Sequence, residues 1–184
     1  MALPDFHLGG RTALVTGASS GLGRHFARTL AAAGAAVAVA ARRVDKLDSL
    51  VDEIVREGGS ARAVALDVND AASVRAAFDA IAAWRGAPDV IVNNAGVAVS
   101  RPLLELAGHG IRVNAIAPGY VATELNRDFL ASNAGQRLMA RIPQKRFGDP
   151  ADLDGPLLLL ASEAGRFMTG SVIAVDGGHL VSSL

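Results

Sequence analysis

Thr12-Ala13-Leu14-Val15-Thr16-Gly17-Ala18-Ser19-Ser20-Gly21-Leu22-Gly23 is the stretch that decides how this chain folds. Thr12–Thr16 is a short apolar run with β-branched residues, the composition of a strand. Gly17 lets the backbone turn off that strand, and a helix-like stretch begins at residue 21. Gly21 and Gly23 remove side chains where a phosphate group would approach the backbone at the start of the helix. The unpaired amides of that first turn and the helix dipole both favour an anion. The plainer alternative is an ordinary glycine-rich turn. Its position between a strand and a helix argues for the phosphate loop of a strand–helix–strand unit.

Outward from this point the same alternation repeats. Short strand-like runs occur at 36–40, 61–68, 90–92, 111–116 and 171–175, and helix-like stretches at 21–34, 44–57, 70–84 and 150–163. In 44–57, Val44, Leu47, Leu50, Val51, Ile54 and Val55 recur at helical spacing and give one apolar face. Asn69 and Asp70 suit a helix start, and Asp149-Pro150 pairs an N-cap with proline in the first turn. Apolar strands alternating with helices imply an α/β fold with a parallel sheet covered on both faces. No repeat or linker divides the chain, so one domain over residues 1–184 is expected.

Composition removes several function classes. The 18 basic and 18 acidic side chains balance, which leaves no electrostatic footprint for nucleic acid. The absence of cysteine excludes disulfides, thiolate metal sites and a cysteine nucleophile. Residues 1–11 lack the uninterrupted apolar stretch of a signal peptide. The longest apolar run, residues 30–41, is too short to span a bilayer. A cytoplasmic protein without a membrane partner is the expectation.

The end of the second strand reads Ala40-Ala41-Arg42-Arg43, with no carboxylate until Asp45. A carboxylate there would bind a ribose 2′-hydroxyl, whereas an arginine accommodates a 2′-phosphate. Guanidinium groups suit a dianionic phosphate, so the pattern favours NADP over NAD. A solvated arginine pair opening a helix is the alternative.

Thr16-Gly17, Gly21 and Gly23 together resemble the cofactor motif of the short-chain dehydrogenase/reductase family, a Rossmann-like doubly wound parallel sheet. Asn93-Asn94-Ala95-Gly96 is similar to that family's motif after the fourth strand. Leu66-Asp67-Val68 resembles the segment whose aspartate contacts adenine. Arg112-Val113-Asn114-Ala115-Ile116-Ala117-Pro118-Gly119 with Thr123 resembles the loop that closes over nicotinamide. Thr169-Gly170 and Val175-Asp176-Gly177-Gly178 are similar to the closing strand. The resemblance implies a nucleotide site made of Gly17, Ser19, Ser20, Gly21, Leu22, Gly23, Arg42, Asp67, Val68, Asn94, Ala95, Gly96, Pro118, Gly119 and Thr123. Plainer roles stand beside these. Asp67 could cap the following helix, Asn94 and Asn114 could satisfy loop backbone, Pro118-Gly119 could be only a turn, and Thr123 could cap a helix starting at Glu124.

The family's chemistry is hydride transfer between a nicotinamide and a carbonyl or alcohol, with a serine, a tyrosine and a lysine four residues beyond it handling the substrate oxygen and the proton. A phenol with an ordinary pKa near ~10 needs a nearby cation to work at neutral pH. The single tyrosine here is Tyr120, and four residues on stands Glu124. Lys46 and Lys145 follow Arg42 and Arg141 at that spacing. No catalytic residue is therefore assigned, and turnover is expected to be trace at best. A non-catalytic nucleotide-binding module and an inert remnant are the alternatives. The break falls near 105–106, where the segment after the fourth strand runs into Leu106-Ala107-Gly108-His109-Gly110-Ile111-Arg112. About one βα unit is gone, leaving about six strands, and a shortened sheet with the 111–117 strand beside the 90–94 strand is feasible. Loss of a covering helix is expected to leave apolar sheet surface wet. The resemblance further implies a small-molecule substrate and a homo-oligomer formed through the 150–163 helix and the 171–178 strand. No metal site is expected.

Overall fold

The computed structural model describes residues 5–95 and 106–181. The chain divides into two units, residues 1–99 and 100–184. In the first, β1 (Thr12–Thr16), β2 (Ala36–Ala41), β3 (Ser60–Ala65) and β4 (Val90–Val92) form a parallel sheet in the order β3-β2-β1-β4. The connections are α1 (Gly21–Ala32), α2 (Asp45–Arg56) and α3 (Ala71–Arg85). The chain steps outward from β1 to β3 and then returns to the far side of β1. With right-handed crossovers, that reversal puts α3 on the opposite face from α1 and α2.

Burial follows from this double covering. Every residue of β1 is buried, as is every residue of β2 after Ala36. Successive side chains of a strand face opposite ways, so full burial requires cover on both sides. Leu14, Ala38, Ala40, Val64 and Leu66 pack with Ala77 and Ile81 of α3, edged by Val74, Phe78 and Trp84. Phe26 and Leu30 of α1 and Leu47, Leu50 and Ile54 of α2 are also buried. The amphipathic pattern read over 44–57 is thus α2, but of its six apolar positions only Leu47, Leu50 and Ile54 are buried, while Val51 is half-buried and Val44 and Val55 are exposed. Asp70 caps α3 by accepting from the Ala72 amide at 2.9 Å.

In the second unit, β5 (Ala115–Pro118) pairs in parallel with β6 (Val172–Val175), from Ala115 opposite Val172 to Pro118 opposite Val175. The six described strands are therefore arranged as four plus two, and the pairing described for β5 is with β6 rather than with the 90–92 strand. β5 begins later than the sequence pattern indicates because residues 112–114 are engaged elsewhere. The Arg112 guanidinium donates to the carbonyls of Leu160 (2.8 Å) and Gly165 (3.0 Å). Asn114 donates to Met168 O at 2.9 Å and accepts from the Ser171 amide at 3.0 Å. These bonds anchor the 160–171 segment and set the register of β6 against β5.

The expected helix over 150–163 is a 3-10 turn, Pro150–Leu153, running into α6 (Asp154–Ala161). Its start is as read: Asp149 accepts from Ala151 N at 2.9 Å, and Asp152 accepts from Asp149 N at 2.8 Å. It stops at Ala161 because Ser162 is extended and caps the next turn through Ala164 N. The stretch 124–147 holds α4 (Arg127–Ala131) and α5 (Asn133–Arg141). No helix starts at Glu124; residues 124–126 form a turn held by Asn126. Among the described residues no helix is long and apolar enough to cross a membrane.

Candidate nucleotide-binding site

The strand order places a crevice at the carboxyl ends of β1 and β4, where the winding direction reverses. Ligands of open α/β sheets bind at such a switch point. Gly17 leaves β1 at φ +67° and Gly21 enters α1 at φ +57°, both conformations that side-chain-bearing residues rarely adopt. Gly23 is required for a different reason. A Cβ there would stand 2.4 Å from Gly17 O and 2.5 Å from Asn94 Nδ2. The first turn of α1 therefore lies directly against the loop and the end of β4. Ser20 precedes the helix in an extended conformation without a side-chain capping bond, and the first turn contains no carboxylate. An anion would meet backbone dipoles there and no like charge.

Thr16 and Asn94 fasten the two sides of the crevice together. The Thr16 hydroxyl donates to Val92 O at 3.4 Å and accepts from the amides of Asn94 (3.1 Å) and Ala95 (3.2 Å). The Asn94 side chain donates to Thr16 O at 3.3 Å and Gly17 O at 3.4 Å. Asn94 thus takes the backbone-satisfying role that the sequence left open. Asn93 is exposed beside it, and Gly96 lies outside the described residues.

At the end of β2 the two arginines are exposed. Arg43 reaches back across the loop, with Nη2 donating to Ser19 Oγ at 3.3 Å. Ser19 and the arginine pair are therefore neighbours in space, although 24 residues separate the bonded partners in sequence. Leu22 is half-buried on α1. At the end of β3, Asp67 is half-buried, accepts from Asn69 N at 3.0 Å and, through its own amide, donates to Ser73 Oγ at 3.0 Å. The helix cap considered for Asp67 is supplied by Asp70 instead. Val68 packs against the α3 face of the core.

Three proposed cofactor residues belong to the second unit. Pro118 ends β5, and the Gly119 amide donates to Val175 O at 3.0 Å. A Cβ on Gly119 would stand 2.7 Å from Asp176 Cα, so backbone approach is one reason for glycine there. Thr123 directs both its amide (2.9 Å) and its hydroxyl (3.3 Å) to Asn126 Oδ1.

A separate cleft of about 330 Å³ in the second unit is lined by Tyr120, Gln144, Arg146, Asp152 and Asp176 among others. Tyr120 stands edge-on to His179, with ring centroids 5.5 Å apart. Arg146 is committed to Asp152 through two hydrogen bonds of 2.6 and 3.0 Å. That guanidinium and the Asp149 amide hold the Asp152 carboxyl down at about 2. The amides of Leu180 and Gly178 hold Asp176 below the ordinary carboxylate range. Lys145 directs its ammonium to Ala140 O at 2.6 Å. Among the described residues no group of three or more acidic or histidine side chains is placed to hold a metal ion.

Two family profiles divide the chain. The short chain dehydrogenase profile matches residues 11–107, more than half of the sequence. The chain belongs to the short-chain dehydrogenase family. The enoyl-(acyl carrier protein) reductase profile matches residues 103–179, so the two meet over 103–107. D-threitol dehydrogenase of Mycolicibacterium smegmatis is 29% identical over 248 residues, covering 96% of this chain and 95% of that protein. Gluconate 5-dehydrogenase of Gluconobacter oxydans is 29% identical over 255 residues, 99% of this chain and 100% of that one. An alignment of 248 positions over 96% of a 184-residue chain leaves about 70 positions of the threitol enzyme opposite no residue of this short-chain dehydrogenase. Among solved structures, a gluconate 5-dehydrogenase from Burkholderia cenocepacia, in complex with NADP and tartrate, superimposes with a TM-score of 0.89. It is 30% identical and covers 100% of both chains. These relatives make the α/β Rossmann-like architecture and family oxidoreductase ancestry plain.

Sequence reasoning did not single out Thr16, Arg43 or Ser73 as site residues. Thr16 and Arg43 stood inside quoted motifs, and a hydroxyl ending a strand beside a glycine loop is a usable signal for the first. Nothing in local spacing marks Ser73.

Proposed function

We propose that this short-chain dehydrogenase chain holds NADP in the crevice of its four-stranded sheet and, as it stands, turns over carbonyl or alcohol substrates at trace rates at most. One observation carries the nucleotide reading. Arg42 and Arg43 sit where β2 ends, with no carboxylate at that position, and Arg43 already reaches the Ser19 hydroxyl of the phosphate loop. The glycine cradle fits the group: the loop leaves backbone exposed where Gly17, Gly21 and Gly23 carry no Cβ, beside a helix start free of carboxylates.

Ser19, Ser20, Leu22 and the three glycines would hold the pyrophosphate, Arg42 with Arg43 the 2′-phosphate, and Asp67 with Val68 the adenine. Asn94, Ala95 and Gly96 would border the cofactor at the β4 end. When bound, the nicotinamide supplies the hydride. The chain's own task would be to orient the substrate and manage a proton, and it has no tyrosine followed four residues later by lysine for that purpose. Proton transfer by a positioned group is worth roughly 10²–10⁴ in rate. The meeting of the two profiles at 103–107 and the unmatched positions of the relatives support an internal gap near 105–106. A single domain made complete by that βα unit is the arrangement this reading assigns to the parent sequence, with a homo-oligomer through the 150–163 helix and 171–178 strand.

The test is to follow NADPH absorbance with a panel of ketones, sugar acids and polyols while measuring NADPH binding by its fluorescence. Binding without steady turnover is expected. Ordinary dehydrogenase rates would remove the trace-activity claim, and no binding would leave the inert-remnant reading.

A further inference from the structure

The cleft of about 330 Å³ is formed wholly within the second unit, by residues between 120 and 178 that hold one another in place. Tyr120, just past β5, is pinned through its backbone. Its carbonyl accepts from Gly148 N at 2.9 Å, and Gly148 O accepts from Ala122 N at 2.8 Å. The turn after β6 is closed by Asp176, which accepts from Gly178 N at 2.9 Å and from Leu180 N at 2.7 Å. Gln144 N donates to Gly177 O at 3.2 Å, and a Cβ on Gly177 would stand 2.9 Å from Ile142 Cγ2, so that turn lies directly against the 142–144 segment. The His179 ring, edge-on to Tyr120, orients the phenol.

The polar groups lining this space differ in the capacity they have left. Arg146 and Asp152 are spent on each other, and Asp152 also accepts from Asp149 N. The Tyr120 hydroxyl and the Gln144 carboxamide have no hydrogen bond among the described residues. Each oxygen of Asp176 takes one amide, which leaves each a further lone pair. The open set is therefore a hydroxyl that donates and accepts, an amide that does both, and a carboxylate that only accepts. Hydroxyl groups match such a mixture, because each of them both donates and accepts. An ammonium group would satisfy Asp176 alone and would stand near the Arg146 guanidinium. A carboxylate would meet Asp176 with the one cation of the lining already paired. We propose that this cleft binds an uncharged polyol of about four to six carbons through Tyr120, Gln144 and Asp176. The site needs no nucleotide, so it stands or falls apart from the NADP reading.

Tyr120 is the single tyrosine, and Trp84, in the first unit, is the single tryptophan. The full chain, isotope-labelled in its tyrosine ring and tryptophan indole, therefore carries one reporter at the cleft and one control away from it. In an NMR titration, sorbitol should move the Tyr120 ring signals saturably, with a dissociation constant of about 1–20 mM, and leave the Trp84 indole in place. Gluconate, which carries a carboxylate where sorbitol has a terminal alcohol, should bind about tenfold or more weakly. Gln144→Ala removes an exposed side chain that makes no bond, so it should keep the unfolding midpoint and weaken sorbitol by about fivefold or more. The proposal is overturned by Tyr120 shifts that grow linearly without saturating, by equal movement of Trp84, or by gluconate binding as tightly as sorbitol. Wild-type sorbitol affinity in Gln144→Ala overturns it equally.

Discussion

Gly23 shows how much of the crevice rests on the absence of one methyl group. A Cβ there would come within 2.4 Å of the Gly17 carbonyl, backbone that cannot swing aside as a flexible side chain would. Gly23→Ala is expected to destabilise the first unit by about 1–3 kcal/mol and to abolish nucleotide binding. Urea denaturation and NADPH fluorescence read the two effects, and wild-type values for both would refute the close-packing account. Arg43 makes the second case at this scale. Its bond to Ser19 crosses from the β2 end to the glycine loop, so on the proposed function Arg43→Ala should weaken NADPH by about tenfold while leaving NADH nearly unchanged. The ratio of the two dissociation constants is the measurement. The arginine pair and the glycines were legible from their place after each strand. The Thr16–Asn94 knot was not, because it joins residues 78 positions apart.

Among the elements, the start of the 150–161 helical segment shows a local signal carried through into structure. Asp149 and Pro150 marked the cap, and the folded chain adds Asp152 as its reciprocal partner and Arg146 as a clamp. The Asp152 carboxyl titrates near 2 in the folded protein, below its ordinary value of 3.8. A lowered folded-state pKa means this group stabilises the fold above its unfolded pKa and loses that contribution as pH falls toward 2. Denaturation midpoints between pH 5 and 2 should therefore fall less steeply in Asp152→Asn than in the wild type, and parallel curves would contradict the linkage. Arg112 ties elements together in a way no periodicity reveals. Its guanidinium bonds carbonyls 48 and 53 residues away, and the engagement of residues 112–114 with that segment moves the strand read at 111–116 to Ala115–Pro118. Arg112→Ala should cost about 2 kcal/mol and speed amide exchange in the 172–175 strand.

For the whole molecule, the contrast between its two sheets sets the order in which structure is lost. All five residues of β1 are buried, whereas three of the four in β5 and two of the four in β6 are exposed, Val172 at 70%. Phe167 is fully exposed beside that segment. Segments with few buried contacts open at lower free energy than the core. Hydrogen exchange should therefore proceed through 115–118 and 172–175 well before 12–16 and 36–41. Uniform protection across both sheets would show that the second unit is as firmly held as the first. The amino-acid sequence by itself determined the family, the glycine cradle, the arginine pair after the second strand and the absence of a tyrosine–lysine pair, because each is a matter of residue type at short, fixed spacing. Only the tertiary structure decided that Arg43 meets Ser19, that Thr16 and Asn94 lock the crevice, and that β5 pairs with β6 over a thinly covered sheet. Those outcomes depend on hydrogen bonds and burial between residues tens of positions apart, which local pattern does not encode.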